Sequence, residues 1–281
     1  RVVYERALKN EDAGKLSDAL ADYKKAGELA PHWFDAHFGL SSLLADQKKY
    51  AQAIEALGKA LQARPGSYSA LFNRGLHYEN LRQYDKAILA YGEAVGEEVD
   101  YSFHGDSPAE CQAHALHYRG RIYQWHKNDP EKAIADFTKA LQLDPKIRMV
   151  HYRRGRAFRD LKDYEHAHQD FEAALEADPD YPQLNDIFAW QLATCPDDRY
   201  RDGQRAVEIA TEHGLIPSLA AGYAELGKFD EAVFLIEKWI EKVKRAKPLT
   251  SGKSAKARAE SLEKWEQQLA SYRVGKPLRQ P

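Results

Sequence analysis

Four prolines set the frame of this chain: Pro31 and Pro65 stand 34 residues apart, and so do Pro145 and Pro179. Three of them close variants of one phrase: AQAIEALGKALQARP ends at Pro65, EKAIADFTKALQLDP at Pro145 and EHAHQDFEAALEADP at Pro179. A fixed period of this length belongs to stacked supersecondary units, each unable to bury its apolar face alone. Within one period, Tyr152 to Pro179, the residues Gly155, Phe158, Ala167, Phe171, Ala174 and Leu175 recur at steps of three and four, which is helical spacing. Two helices are predicted, with LKDYEH as the turn between them. Pro179 stops the second because it cannot continue an α-helical ladder. Gly155 and Ala167 are small where the two helices approach, and Tyr164 and Phe171 fill the space on either side.

Charge and composition narrow the partners. Among 281 residues, 41 Lys and Arg face 43 Asp and Glu, so the chain lacks the overall positive charge on which non-specific nucleic-acid binding relies. No apolar run approaches the ~18 residues of a membrane span, and no signal stretch opens the sequence, which predicts a cytoplasmic location. Cys111 and Cys195 stand far apart without CxxC spacing, which fits a reducing compartment and argues against a zinc knuckle. The sequence opens at Arg1 and its only methionine is Met149, as in a processed chain or a piece of a longer one.

These residues resemble the tetratricopeptide repeat (TPR) family, whose 34-residue helix-turn-helix unit has small residues at its eighth, twentieth and twenty-seventh positions and proline at its thirty-second. The first repeat carries Ala7, Gly14, Ala19, Tyr23 and Ala26, and the second Leu40, Ser41, Tyr50, Ala53 and Ala60. The third has Gly75, Tyr78, Tyr84, Ala87, Tyr91 and Ala94 but lacks the closing proline. The fourth runs through Gly120, Tyr123, Ala133, Phe137 and Ala140 with one extra residue in its KNDP turn, and the fifth is the Tyr152 period. Beyond Pro179, Ala189 and Ala206 imply an enlarged loop at 195–203, and Ala220, Tyr223, Gly227, Phe229 and Ala232 restore the pattern after a shortened connection from His213 to Ile216. The segments LNDIFAWQLATCPD, RDGQRAVEIA and the terminal YRVGKPLR are similar to a group of bacterial proteins of this family, in which such modules are often joined to larger signalling or protease chains.

The resemblance implies an all-α, right-handed superhelical solenoid of about seven antiparallel helix pairs and a C-terminal capping helix. The repeats are expected near 1–31, 32–65, 66–99, 111–145, 146–179, 180–214 and 215–241, with a polar insertion at 96–110. A Lys-rich linker is expected over 242–259, followed at 260–281 by an amphipathic helix and tail with Leu262, Trp265, Leu269 and Tyr272 on one side. That helix would either cap the solenoid or dock on a partner.

Catalytic motifs fail on their own chemistry. SGKS at Ser251 to Ser254 lacks the second glycine of a phosphate-binding loop, since position 247 is Lys247. DDRYRDG lacks calcium ligands at Tyr200 and Ile209, and no HExxH or GxSxG is present. His114 and His117 lie one helical turn apart with Cys111 a further turn away, a spacing that could share a metal; peptide-contacting or surface histidine is the preferred reading, so neither a metal nor a cofactor is expected.

In the family, the second, fifth, ninth and twelfth positions of each first helix face a concave groove. Applied here, these are Asp35, Phe38 and Ser42 in the second repeat, and Ser69, Phe72, Leu76 and Glu79 in the third, with Asn73 beside them. They are His114, His117, Arg121 and Gln124 in the fourth, beside Trp125; Met149, Tyr152, Arg156 and Arg159 in the fifth, beside Arg153; and Asp186, Trp190 and Ala193 in the sixth. Arginine with aromatics suits a peptide surface, and an acidic segment or C-terminal carboxylate is the natural ligand; the same arginines could instead be solvated or paired with neighbouring acids. The family's chaperone-tail clamp is missing, with Phe38 and Ser42 where Lys and Asn are needed. The expected function is a non-catalytic protein-interaction module that binds a partner through Phe38, Phe72, Asn73, His114, His117, Arg121, Trp125, Tyr152, Arg153, Arg156, Arg159 and Trp190. Single-stranded RNA binding, or service as the regulatory domain of a larger signalling enzyme, are the alternatives.

Overall fold

A computed structural model describes residues 1–96, 98–101, 107–147, 149–179, 181–246 and 252–279. Among them are 15 α-helices, running as seven successive antiparallel pairs and a last helix. The pairs are α1 (Val2–Asp12) with α2 (Leu16–Leu29), α3 (Phe34–Asp46) with α4 (Tyr50–Ala63), α5 (Tyr68–Asn80) with α6 (Tyr84–Ala94), and α7 (Pro108–Ile122) with α8 (Pro130–Leu143). They continue with α9 (Val150–Asp160) and α10 (Tyr164–Ala177), α11 (Pro182–Thr194) and α12 (Gly203–Glu212), and α13 (Ile216–Glu225) and α14 (Phe229–Arg245), before α15 (Gly252–Arg273). The chain forms two compact bodies, Arg1–Val150 and His151–Pro281.

Within a pair the sequence sets the contact as its periodicity predicts. Gly75 faces Tyr91, Gly120 faces Phe137 and Gly155 faces Phe171, and a Cβ built on Gly75 would come within 2.6 Å of the Tyr91 ring. All three rings are fully buried. Replacing Gly75 with alanine should therefore destabilise the first body by ~1–3 kcal/mol through overpacking, despite alanine's better helix propensity. A melting temperature unchanged or raised by Gly75→Ala would contradict the close approach. The turns inside the pairs share a second device, a left-handed residue at Gly14, Lys48, Arg82, Lys162 and Gly227. Several second helices then start on aspartate caps, with Asp129 accepting from the Lys132 amide at 3.1 Å, Asp163 from His166 at 3.2 Å and Asp202 from Arg205 at 2.9 Å.

Three local features depart from the even period. The extra residue of the fourth repeat is absorbed inside the first helix, where α7 runs on into a π-helical turn, Tyr123–Lys127, ended by left-handed Asn128. The insertion after α6 folds back as a short strap. Its Asp100 amide donates to the Gly66 carbonyl at 2.7 Å and its carbonyl accepts from the Tyr68 amide at 3.1 Å, while Val99 and Tyr101 pack against the core around Phe34, Leu57, Tyr68 and Leu71. Gly66 permits this, since a Cβ there would stand 2.3 Å from the Glu98 carbonyl oxygen. The enlarged loop at 195–203 is also pinned: Arg201 donates to the carbonyls of Cys195 at 2.8 Å and Pro196 at 3.1 Å and pairs with Glu225 at 2.9 Å.

The basic segment near the C terminus differs from its composition-based expectation as a linker over 242–259. Helix α14 extends to Arg245 and α15 already begins at Gly252. Three of its cations find partners on the helices: Lys242 lies over Trp239 at 5.4 Å, Lys244 pairs with Glu266 at 2.6 Å and Arg245 with Glu241 at 2.5 Å. Among the described residues no helix is long and apolar enough to cross a membrane.

Candidate functional site

The expected partner-binding residues divide between the two bodies. Phe38, Phe72, Asn73, His114, His117, Arg121 and Trp125 belong to the first, and Tyr152, Arg153, Arg156, Arg159 and Trp190 to the second. Several serve packing. Phe38 stacks on Phe34 at 5.3 Å, and Phe72 stacks on Tyr68 at 5.5 Å and meets Tyr118 edge-on at 5.1 Å. Tyr152 is only 5 % exposed, held between Phe171 and Tyr181 at 6.3 and 5.9 Å. His117 lies half-buried near Tyr118 and Phe137, and Trp190 is half-buried on α11. Residues with more open surface are His114, which is exposed, and Trp125, which the π-helical turn holds 44 % exposed. Asn73 is half-buried and makes no hydrogen bond among the described residues.

The arginines sort by partner. Arg121 is tied to Glu79 on α5 and lies over the Tyr118 ring at 4.5 Å. A repeated ion pair runs inside the repeats, from the first helix to an aspartate of the second: Arg6 to Asp22, Arg119 to Asp136 and Arg154 to Asp170. Each is bidentate, the geometry that a guanidinium fork makes with a carboxylate. On α9 three arginines lie outside this scheme. Arg156 lies over the Tyr152 ring at 5.8 Å, its terminal nitrogen 3.5 Å from the phenol oxygen, and the half-buried Arg153 sits on the same helix. Arg159 makes no hydrogen bond or ion pair among the described residues, and burial pushes its pKa below the ordinary arginine value, opposed by Asp160 and aided by Arg156.

Three of the histidines are bound up in structure. His151 Nδ1 reaches Asp170 at 2.8 Å, His166 Nδ1 reaches Asp163 at 2.7 Å, and His126 stacks on Tyr84 at 3.8 Å. Cys111 is buried in the core rather than placed to complete a site with His114 and His117. Among the described residues no group of three or more His, Cys, Asp and Glu side chains could hold a metal ion.

The paired helices and their glycine-to-aromatic contacts meet a direct match in sequence: a tetratricopeptide repeat model fits residues 4–67, 43–101 and 122–182, more than half of the chain. The chain belongs to the tetratricopeptide repeat family. The human tetratricopeptide repeat protein 13 is 29 % identical over 138 residues, 47 % of this chain, and the match spans 14 % of that relative's length. Three solved TPR-like arrays share the fold. The pilF protein of Pseudomonas aeruginosa matches with a TM-score of 0.54 at 16 % identity, over 86 % of this chain and 96 % of its own. MamA of Desulfovibrio magneticus RS-1 matches at 0.53 and 21 %, over 64 % and 95 %. YrrB, described as a TPR protein with an unusual peptide-binding site, matches at 0.52 and 21 %, over 65 % and 87 %. TPR arrays are typically non-catalytic protein-interaction scaffolds.

Proposed function

We propose that this TPR chain is a non-catalytic interaction module whose helix α9 binds an acidic peptide segment or a free C-terminal carboxylate through Arg156 and Arg159. The observation that carries this reading is Arg159, a half-buried guanidinium with no ion pair among the described residues and a second arginine beside it. A desolvated cation with no acid in hydrogen-bond contact, Asp160 acting on it only through charge, costs free energy that an arriving carboxylate returns, and the guanidinium fork sets the angle of approach. Tyr152 supports Arg156 from below, and in the first body His114 and Trp125 keep surface for contacts of the same kind.

Fluorescence anisotropy with Glu-rich, neutral and Lys-rich peptides, each with a free or an amidated C terminus, tests the reading. The Glu-rich peptides should bind best, and Arg156→Glu with Arg159→Glu should weaken them by about tenfold or more, as expected for loss of a charge-assisted contact. Circular dichroism should stay unchanged, because neither side chain is part of the repeated aspartate pairs. Equal binding of all peptides, or of the acidic ones by both proteins, would refute it. Tyr152→Ala is unsuitable as a probe, since that ring belongs to the core.

A further inference from the structure

Two stretches that stand out in the sequence, CPDDRYRDG at Cys195 to Gly203 and the terminal GKPLR at Gly275 to Arg279, meet in the structure at one carboxylate. It belongs to Glu225, the last residue of α13. Its Oε1 accepts from Arg201 Nε at 2.9 Å, and the same guanidinium donates to the carbonyls of Cys195 and Pro196. Its Oε2 is shut from water, and among the described residues its partner is the terminal nitrogen of Arg279, an ion pair at 2.7 Å. Gly203 leaves room for this arrangement, since a Cβ there would stand 3.2 Å from the Glu225 side chain.

The tail is brought to Glu225 by its own residues. After α15 the left-handed Gly275 turns the chain back, its amide donating to the Tyr272 carbonyl at 2.9 Å, while Ser271 Oγ donates to the Lys276 carbonyl at 2.8 Å. Leu278 then packs against the cluster of α13, α14 and α15. At the other end of the relay the loop holds the Cys195 thiol 1 % exposed, with the Asp197 amide on its sulfur. Two further contacts hold the loop, the Asp202 amide on the Leu192 carbonyl at 2.9 Å and Tyr200 against His168 at 5.6 Å. The loop also stands beside the α9 arginines, because the Tyr164 phenol feels both Asp197 and Arg159. If Arg279 leaves, the buried Oε2 loses its partner, and the carboxylate lowers its free energy by turning toward water and loosening its hold on Arg201.

We propose that the C-terminal tail is a latch on the 195–203 loop: Arg279 fixes the Glu225 carboxylate, Glu225 fixes Arg201, and Arg201 holds the loop closed at Cys195. Whatever draws Arg279 away releases the loop, and this holds irrespective of what α9 binds. The two cysteines report on it. Neither is in a disulfide, both are buried, and Cys111 lies in the other body, so alkylation of the full chain by iodoacetamide, read for each cysteine by mass spectrometry, carries its own control. Arg279→Ala should raise the labelling rate of Cys195 about fivefold or more, the effect of stripping a buried carboxylate oxygen of its partner, and leave Cys111 unchanged. Arg279→Lys, which keeps a cation for Oε2, should restore most of the protection. Arg201→Ala should speed labelling of Cys195 at least as much, and adding Arg279→Ala to it should change nothing more, because both act through Glu225. A tail that merely covers apolar surface would give effects that multiply in the double variant, and that result would overturn the latch. An unmoved Cys195 rate in Arg279→Ala, or a rise matched at Cys111, would overturn it as well.

Discussion

Replacing Asp170 with alanine should destabilise the second body by ~3–5 kcal/mol, the range for removing one partner of a buried ion pair. Asp170 is 4 % exposed and accepts from Arg154 Nε and from the other end of the same fork, both at 2.8 Å, and from His151 Nδ1 at 2.8 Å. Its loss takes this acceptor from two donor side chains of one helix, Arg154 and His151. The same pair in other repeats supplies an internal scale. Asp136 meets one partly buried arginine, Arg119, while Asp22 meets Arg6, whose side chain is 64 % exposed and finds water as soon as the carboxylate goes. The expected order of destabilisation is Asp170→Ala, then Asp136→Ala, then Asp22→Ala. Chemical denaturation followed by circular dichroism would measure it, with hydrogen exchange locating the Asp170→Ala loss in α9 and α10. Equal losses in all three variants would mean that burial of the pair does not govern its contribution.

The period, the pairing of helices and the small-against-large contact at Gly155 and Phe171 are all legible in the sequence because each follows from local spacing. What escapes it depends on groups far apart in the chain. The strap at 98–101 rests on a single bridge to Gly66 and Tyr68, too short to show alternation. The extra residue of the fourth repeat is visible, but whether it lengthens a turn or enters the helix as a π turn depends on hydrogen bonds the sequence does not display. The candidate site suffers most. Position along a helix picks out Arg121 and Arg159 alike, yet Glu79, 42 residues earlier, ion-pairs with the first, while the second makes no ion pair among the described residues and feels Asp160 only through charge. Tyr152 sits at a groove-facing position by count and is nevertheless covered by Tyr181, the N-cap residue of α11.

Tyr272→Ala, together with a chain ending at residue 246, separates the two roles that an amphipathic last helix can have. A docking helix would leave the array as stable without it, whereas a capping helix would not. Helix α15 lies against α13 and α14 in a cluster that contains Ala220, Ala224, Ile236, Ile240, Leu269 and Tyr272, with Leu262 and Trp265 packed at its margin. Trp265 meets Trp239 edge-on at 5.6 Å, and Arg273 pairs with Glu237 at 2.6 Å. Tyr272 is 1 % exposed, and its oxygen accepts from Gln268 at 2.7 Å, an amide that also reaches the Pro217 carbonyl at 3.3 Å. Alanine there removes a fully buried ring and leaves the Gln268 amide only its longer bond to Pro217, which places the expected loss at ~3–5 kcal/mol. The shortened chain should lose more, because Ile236, Ile240 and Trp239 would all meet water, and it should bind a hydrophobic dye that the full chain excludes. A shortened chain with an unchanged melting temperature and no dye binding would make α15 a docking element, and the apolar face it now covers would be the surface on which a partner helix lies.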